Sequence, residues 1–187
     1  MTCWYTARES FGPADGDGWR LYVESSRMPQ LKELVGLDGL LCGSVFKPDT
    51  NDDEFWEFVV IEESVITSFF TSLSYVRSKV TGIDCNILAV VMNPEIECLG
   101  EVLPGFEFLG YDLLDYHFDI SPLTNCGGFD ETFLPEELNQ YGLLTSQKRA
   151  REVYKMLPEN NPDEDHAECN YFAVWRLVSP ELAVSPP

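Results

Sequence analysis

Positive charge is scarce in this chain. Of 187 residues only twelve are Lys or Arg, against 32 Asp or Glu, a formal charge of −20. No Lys or Arg occurs in the 68 residues from 80 to 147. A phosphate backbone is held by cations that displace its counterions, so direct nucleic-acid binding is not expected. An anionic membrane surface would repel the chain. Long hydrophobic runs are missing too, and no apolar stretch approaches the ~18 residues that cross a bilayer. The opening Met1-Thr2-Cys3-Trp4-Tyr5-Thr6 lacks the basic start and apolar segment of a secretory signal. Closely spaced cysteines are absent: Cys3, Cys42, Cys85, Cys98, Cys126 and Cys169 form no Cys-x-x-Cys pair. They read as reduced thiols acting as small hydrophobes in a cytoplasmic protein. There is no Gly-x-Gly-x-x-Gly and no Gly-Lys-Ser/Thr, so no phosphate cradle is expected. No cofactor and no metal are expected.

What the chain does have is core material. Hydrophobic residues make up 44%, with twelve Phe, eight Tyr and four Trp. A chain of this length buries roughly 70% of its unfolded surface, so it can fold without disulfides or metal. Residues 1–178 are expected to form one α+β domain, with 179–187 a loosely held tail. Alternation predicts strands over 19–24, 40–46 and 54–61. Apolar residues on both faces predict a central strand over 85–92, and further strands cover 106–114 and 168–178. Gly110 marks a bulge in the second of these. Pro29 opens a short predicted helix with Leu31, Leu34 and Val35 on one face and Gly36 as its stop. Ser64 caps a predicted helix running to Val80. A short helix is predicted over 135–141, and another, capped by Thr145, carries Ala150, Val153, Tyr154 and Leu157 inward. A polar loop is expected over 158–165. Because strands and helices do not alternate strictly, the expected fold is a mixed, mostly antiparallel sheet. It should have about five to seven strands and helices mainly on one face.

Each candidate catalytic or metal motif in the chain has a plainer reading. Cys126 in its Gly-rich loop, with His117 or His166 as base, would suit a thiol-dependent hydrolase. Its acidic neighbours Asp115, Asp119, Asp130 and Glu131 oppose thiolate formation. Asp49-Thr50-Asn51-Asp52-Asp53 has the first oxygens of a calcium loop. Glu54 replaces its sixth-position glycine and Val60 its last carboxylate. Asp163-Glu164-Asp165-His166 reads as a solvated acidic run. The basic residues Lys148, Arg149, Arg151 and Lys155 read as an outward helix face pairing with acidic neighbours.

Charge distribution carries the functional expectation. Residues 49–64 hold seven acidic and no basic side chains, and residues 94–143 hold eleven and none. Self-repulsion on this scale disfavours a compact state, which invites a role for it. The expected role is binding a basic protein partner. Asp49, Asp52, Asp53, Glu54, Asp112, Asp115 and Asp119 are the candidate contacts. An alternative is mimicry of a nucleic acid, which requires carboxylates spaced like phosphates.

Two segments also carry a resemblance. Gly110-Tyr111-Asp112-Leu113-Leu114 leads to Thr124-Asn125-Cys126-Gly127-Gly128-Phe129, and Ala173-Val174-Trp175-Arg176-Leu177 closes the domain. Together they resemble small bacterial proteins that serve as immunity proteins in interbacterial toxin systems. The resemblance spans the C-terminal half. It implies a non-enzymatic toxin inhibitor that occludes the basic active site of a toxin effector domain, and it assigns no residue a role.

Overall fold

A computed structural model describes residues 3–39, 60–61, 65–66, 69–95, 103–118, 120–125 and 132–178. In chain order these form β1 (Trp4–Glu9), α1 (Asp17–Ser26), β2 (Val60–Ile61), β3 (Val65–Ile66) and α2 (Leu73–Lys79). Then come β4 (Cys85–Met92), β5 (Phe106–Asp115), α3 (Gln147–Asn160) and β6 (Cys169–Leu177). The fold is α+β, as expected. Its sheet has four strands among the described residues, in the order β1-β4-β6-β5, fewer than the five to seven expected. Every pairing in it is antiparallel. The short β2 and β3 pair separately.

The central strand β4 is apolar on both sides because both are covered. Ala89 and Val91 point to one face, where α3 lays Ala150, Val153 and Leu157 against Ala173 and Trp175 of β6. The same face continues across β1, where Ala7 meets Tyr75, Val76 and Val80 around α2. Leu88 and Val90 point the other way, toward Phe172 and Val174 and the covering residues Val35, Leu37, Phe69 and Phe118. Thus α2 and α3 share one face, and irregular chain covers the other. Fully burying a side chain of this size contributes about 1.5–3 kcal/mol, so each layer stabilises the sheet substantially.

Strand β5 shifts register between Phe108 and Gly110. Gly110 has φ +147°, and a Cβ there would meet Leu144 O at 2.7 Å. The bulge therefore lets the 143–144 segment lie along the edge, where Tyr111 and Leu144 exchange backbone bonds of 2.7 and 2.9 Å. This matches the bulge expected at Gly110.

Other expectations are corrected. Residues 19–24 form part of α1, not a strand. Trp19 and Tyr22, three apart, share one helical face and pack their rings on Phe11 at 5.4 and 5.5 Å, while Leu21 is 60% exposed. No helix follows Pro29, because its backbone donors go elsewhere: Lys32 and Glu33 N–H to Gln140 O, Leu34 N–H to Phe11 O, and Val35 N–H to Tyr141 O. The helix expected from Ser64 is reduced to α2, capped by Ser72, whose Oγ accepts from Tyr75 N–H at 3.2 Å. Where its first half is described it is not helical: Val65–Ile66 is β3, and Phe69 and Phe70 enter opposite clusters. The 135–141 helix is a 3-10 turn at Pro135–Glu137. α3 is capped by Ser146 instead of Thr145 and continues through Pro158 into the expected loop. The strand expected over 40–46, most of that over 54–61, and the tail lie outside the described residues.

Candidate functional site

Of the seven carboxylates expected at a partner surface, Asp49, Asp52, Asp53, Glu54 and Asp119 lie outside the described residues. Asp112 and Asp115 both stand on β5, and both are interior: Asp112 is 0% exposed and Asp115 1%. Neither can touch a partner in this structure, which corrects their assignment as surface contacts. Three residues apart on a strand, they leave β5 on opposite sides.

Asp112 is the centre of a polar cluster. Its Oδ1 accepts from Leu113 N–H and Ser121 Oγ, both at 2.8 Å, and its Oδ2 from Leu37 N–H at 2.5 Å. Arg8 enters from β1, donating from Nε to Gly36 O at 2.5 Å and from Nη1 to Glu9 O at 2.7 Å. Its Nη2 lies 4.0 Å from Asp38 Oδ1. Asp38 Oδ2 accepts from Thr124 Oγ1 at 3.3 Å, and Tyr22 OH donates to Thr124 O at 2.7 Å. Gly36 suits the close packing here, since a Cβ would meet Asp38 Oδ1 at 2.8 Å and Thr124 Oγ1 at 2.9 Å and force those side chains to shift. Burial, with the charge of Asp38, pushes the Asp112 carboxyl up to about 7. Burial also pulls Arg8 below its ordinary value, against the opposing pull of Asp38 and Asp112. The cluster ties β1, α1, the 36–39 turn, β5 and the 121–124 turn together.

Asp115 organises the end of the sheet. β5 stops there opposite Cys169, where β6 begins. Its Oδ2 lies 3.0 Å from Nδ1 of His166, on the 3-10 turn Asp165–Ala167. Its Oδ1 accepts from Ile120 N–H at 3.2 Å, and its backbone N–H donates to Ile120 O at 2.9 Å. Tyr116 N–H donates to Glu168 O at 3.2 Å, so the turn after β5 lies beside the turn before β6. Phe118 (φ +59°) folds inward onto Phe69 and Phe172. Tyr116 stays 49% exposed, with His117 beside it.

This end is acidic and open. Glu159, Asp163, Glu164, Asp165 and Glu168 are all exposed, and the ten residues 159–168 include no Lys or Arg. Among the described residues none of these five carboxylates has an ion-pair partner at 4.0 Å or less. The cation-poor stretch 94–143 behaves differently. Among its described acids, Asp112 and Asp115 are buried, Glu107 pairs with Arg176 and Glu137 with Arg149. Only Glu95 and Glu136 among them are exposed. Among the described residues the acidic face thus sits at 159–168, part of which reads in the sequence as a solvated acidic run. A count of charge along that segment, joined with Tyr116 in the neighbouring turn, is the signal that finds it.

Other chemistry is thin. Cys126 lies outside the described residues. Burial raises the thiols of Cys3 and Cys85 and pushes Cys169 up to about 12, so none favours its thiolate. Among the described residues no three His, Cys, Asp or Glu side chains converge as a metal would need. No described helix is long and apolar enough to cross a membrane.

The molecule so defined is an α+β protein with an acidic, aromatic-bearing edge at one end of an antiparallel sheet. Comparison with protein-family models, with curated proteins and with solved structures finds no match.

Proposed function

We propose that this is an acidic binding protein of the immunity type, which neutralises a bacterial toxin by covering its basic active site. The observation that carries the reading is the end of the sheet around Tyr116: the turn bearing this exposed ring hydrogen-bonds Glu168, the last of five exposed carboxylates over 159–168 with no described cation paired to them. Carboxylates unopposed by cations attract a cationic surface and raise its association rate. An exposed tyrosine supplies the apolar and cation–π anchor on which interface energy concentrates. The Asp115–His166 contact holds both turns in place beforehand, which lowers the entropic cost of docking. Asp112 and Asp115 serve this reading as supports.

The test is binding to the protein encoded beside this gene, measured by calorimetry. Glu164→Lys with Asp165→Lys and Glu168→Lys is expected to weaken binding at least tenfold, and Tyr116→Ala by a similar factor. Unchanged affinity in both variants would reject the assignment of this edge.

A second reading rests on the same contact. A carboxylate 3.0 Å from a histidine nitrogen is the arrangement that orients an imidazole as a base, which a thiol-dependent hydrolase using Cys126 and His166 would need. Rapid, selective labelling of Cys126 in the native protein at neutral pH favours the hydrolase. Slow and non-selective labelling favours the inhibitor.

A further inference from the structure

The outward side of α3 carries a stripe of alternating charge. Lys148, Glu152, Lys155 and Glu159 stand four, three and four positions apart, and all four are exposed. At 3.6 residues per turn they fall within an arc of about 60°. Ala150, Val153 and Leu157 pack inward from the opposite side. Helix stability does not explain the pattern. A cation in the first turn and an anion in the last oppose the helix dipole, and Lys148 and Glu159 hold those places. Lys148 and Glu152 meet at 3.9 Å with the lysine first, the weaker order for such a pair. Among the described residues Lys155 and Glu159 have no ion pair. The groove alongside is mixed as well: Lys148, Arg151 and Lys155 line it together with Glu95 and Glu152. A simple anion would meet both signs there, so the fit is to a partner whose own charges alternate.

We propose that the stripe pairs with its own counterpart on a second copy of this chain, the two α3 helices lying antiparallel about a two-fold axis. Read backward, the order plus, minus, plus, minus becomes its own complement. An axis level with residues 153 and 154 sets Lys148 opposite Glu159 of the second copy and Glu152 opposite Lys155, and each contact occurs twice. A parallel copy meets like with like at every position. An antiparallel copy slipped by one turn also sets like against like: Lys148 on Lys155 in one direction, Glu152 on Glu159 in the other. The charges therefore specify both orientation and register, as flanking charges do between coiled-coil helices. Half-buried Met156 flanks the stripe near the axis and adds apolar area. The charge of −20 on each copy opposes their approach, but at physiological ionic strength charges more than about 8 Å apart are largely screened. Exposed ion pairs are individually weak, so the pair is loose, with a dissociation constant on the order of 10⁻⁴ M. The antiparallel arrangement sends the two 163–168 turns to opposite ends and makes the pair bivalent; only that consequence rests on the docking reading.

Sedimentation equilibrium of the full chain, from about 10 μM to about 1 mM in about 0.15 M salt, tests the pairing without any other protein. Two variants decide it: Lys148→Glu with Lys155→Glu, which makes the stripe wholly acidic, and Glu152→Lys with Glu159→Lys, which makes it wholly basic. Each alone is expected to weaken self-association at least tenfold. Mixed in equal amounts, they are expected to form a heterodimer at least as tight as the unmodified pair. Their formal charges, −24 and −16, add to the same total as two unmodified chains at −20, so net repulsion is held constant. All four sites are exposed, and pairing in the mixture shows that both variants are folded. An unmodified chain that stays monomeric throughout overturns the proposal. So does self-association that survives in either variant alone, or a mixture that fails to pair.

Discussion

The interior around Asp112 and the edge beyond Asp115 lie three residues apart on one strand, yet they use carboxylates in opposite ways. Inside, the acids meet specific groups: Asp112 takes two backbone N–H groups and a hydroxyl, and Asp38 faces Arg8 and Thr124. At the edge, Asp163, Glu164, Asp165 and Glu168 face solvent with no ion pair to a described residue. Burying a charge costs several kcal/mol unless it is paired and hydrogen-bonded, so the interior group is constrained by structure. Exposed carboxylates contribute little to stability and are available for recognition. Net charge alone does not separate the two, and only burial assigns each acid its role.

The largest effect that would break this contrast is expected from Arg8→Met. It removes the buried guanidinium that faces Asp38 and leaves Gly36 O and Glu9 O without their donor, and should cost about 3–5 kcal/mol in chemical denaturation. A loss below 1 kcal/mol would mean that water already reaches the cluster. Next in size is pH. The folded carboxyl of Asp112 titrates near 7, above its unfolded range, so its contribution is fully present below about pH 4 and is lost as pH rises through 7. Stability should fall by up to roughly 4 kcal/mol across that window, and Asp38→Asn should shallow the fall. Then comes His166→Ala, which leaves the buried Asp115 oxygen without its imidazole partner. A cost of about 1–3 kcal/mol is expected in the same assay. The smallest effect belongs to the edge: Glu164→Lys, Asp165→Lys and Glu168→Lys together should change stability by no more than about 1 kcal/mol, as exposed sites do.

How much of this was legible in the sequence depended on how many physical signals agreed. β4 was read at its true limits, because an apolar run with β-branched residues and a Pro94 stop has few other solutions. β6 and the bulge at Gly110 were read equally well. α1 was misread because six residues of Trp19-Arg20-Leu21-Tyr22-Val23-Glu24 fit a period of 2 and a period of 3.6. The ring contacts of Phe11 with Trp19 and Tyr22 decided between them. β1 was not read as a strand at all: Thr6 and Arg8 alternate with Tyr5 and Ala7, and their burial depends on partners that are distant in sequence. The same limit hid the interior cluster. Arg8, Asp38 and Asp112 are separated by up to 104 positions, and no local pattern links them. Asp112 and Asp115 read as surface acids because polar residues usually are; β5 carries them into the interior, where Leu37, Ser121 and His166 receive them. The edge was within reach, since a run of acids without a cation is visible in any composition count.

The division between interior and edge is tested most directly by the ionic-strength dependence of association with the protein encoded beside this gene. For the unmodified chain the association rate constant should fall steeply with added salt. For the Glu164→Lys, Asp165→Lys, Glu168→Lys variant it should be lower at every salt concentration and nearly flat, with the unfolding midpoint little changed. Equal slopes for the two proteins would contradict the account and return the acidic edge to the role of solvated surface.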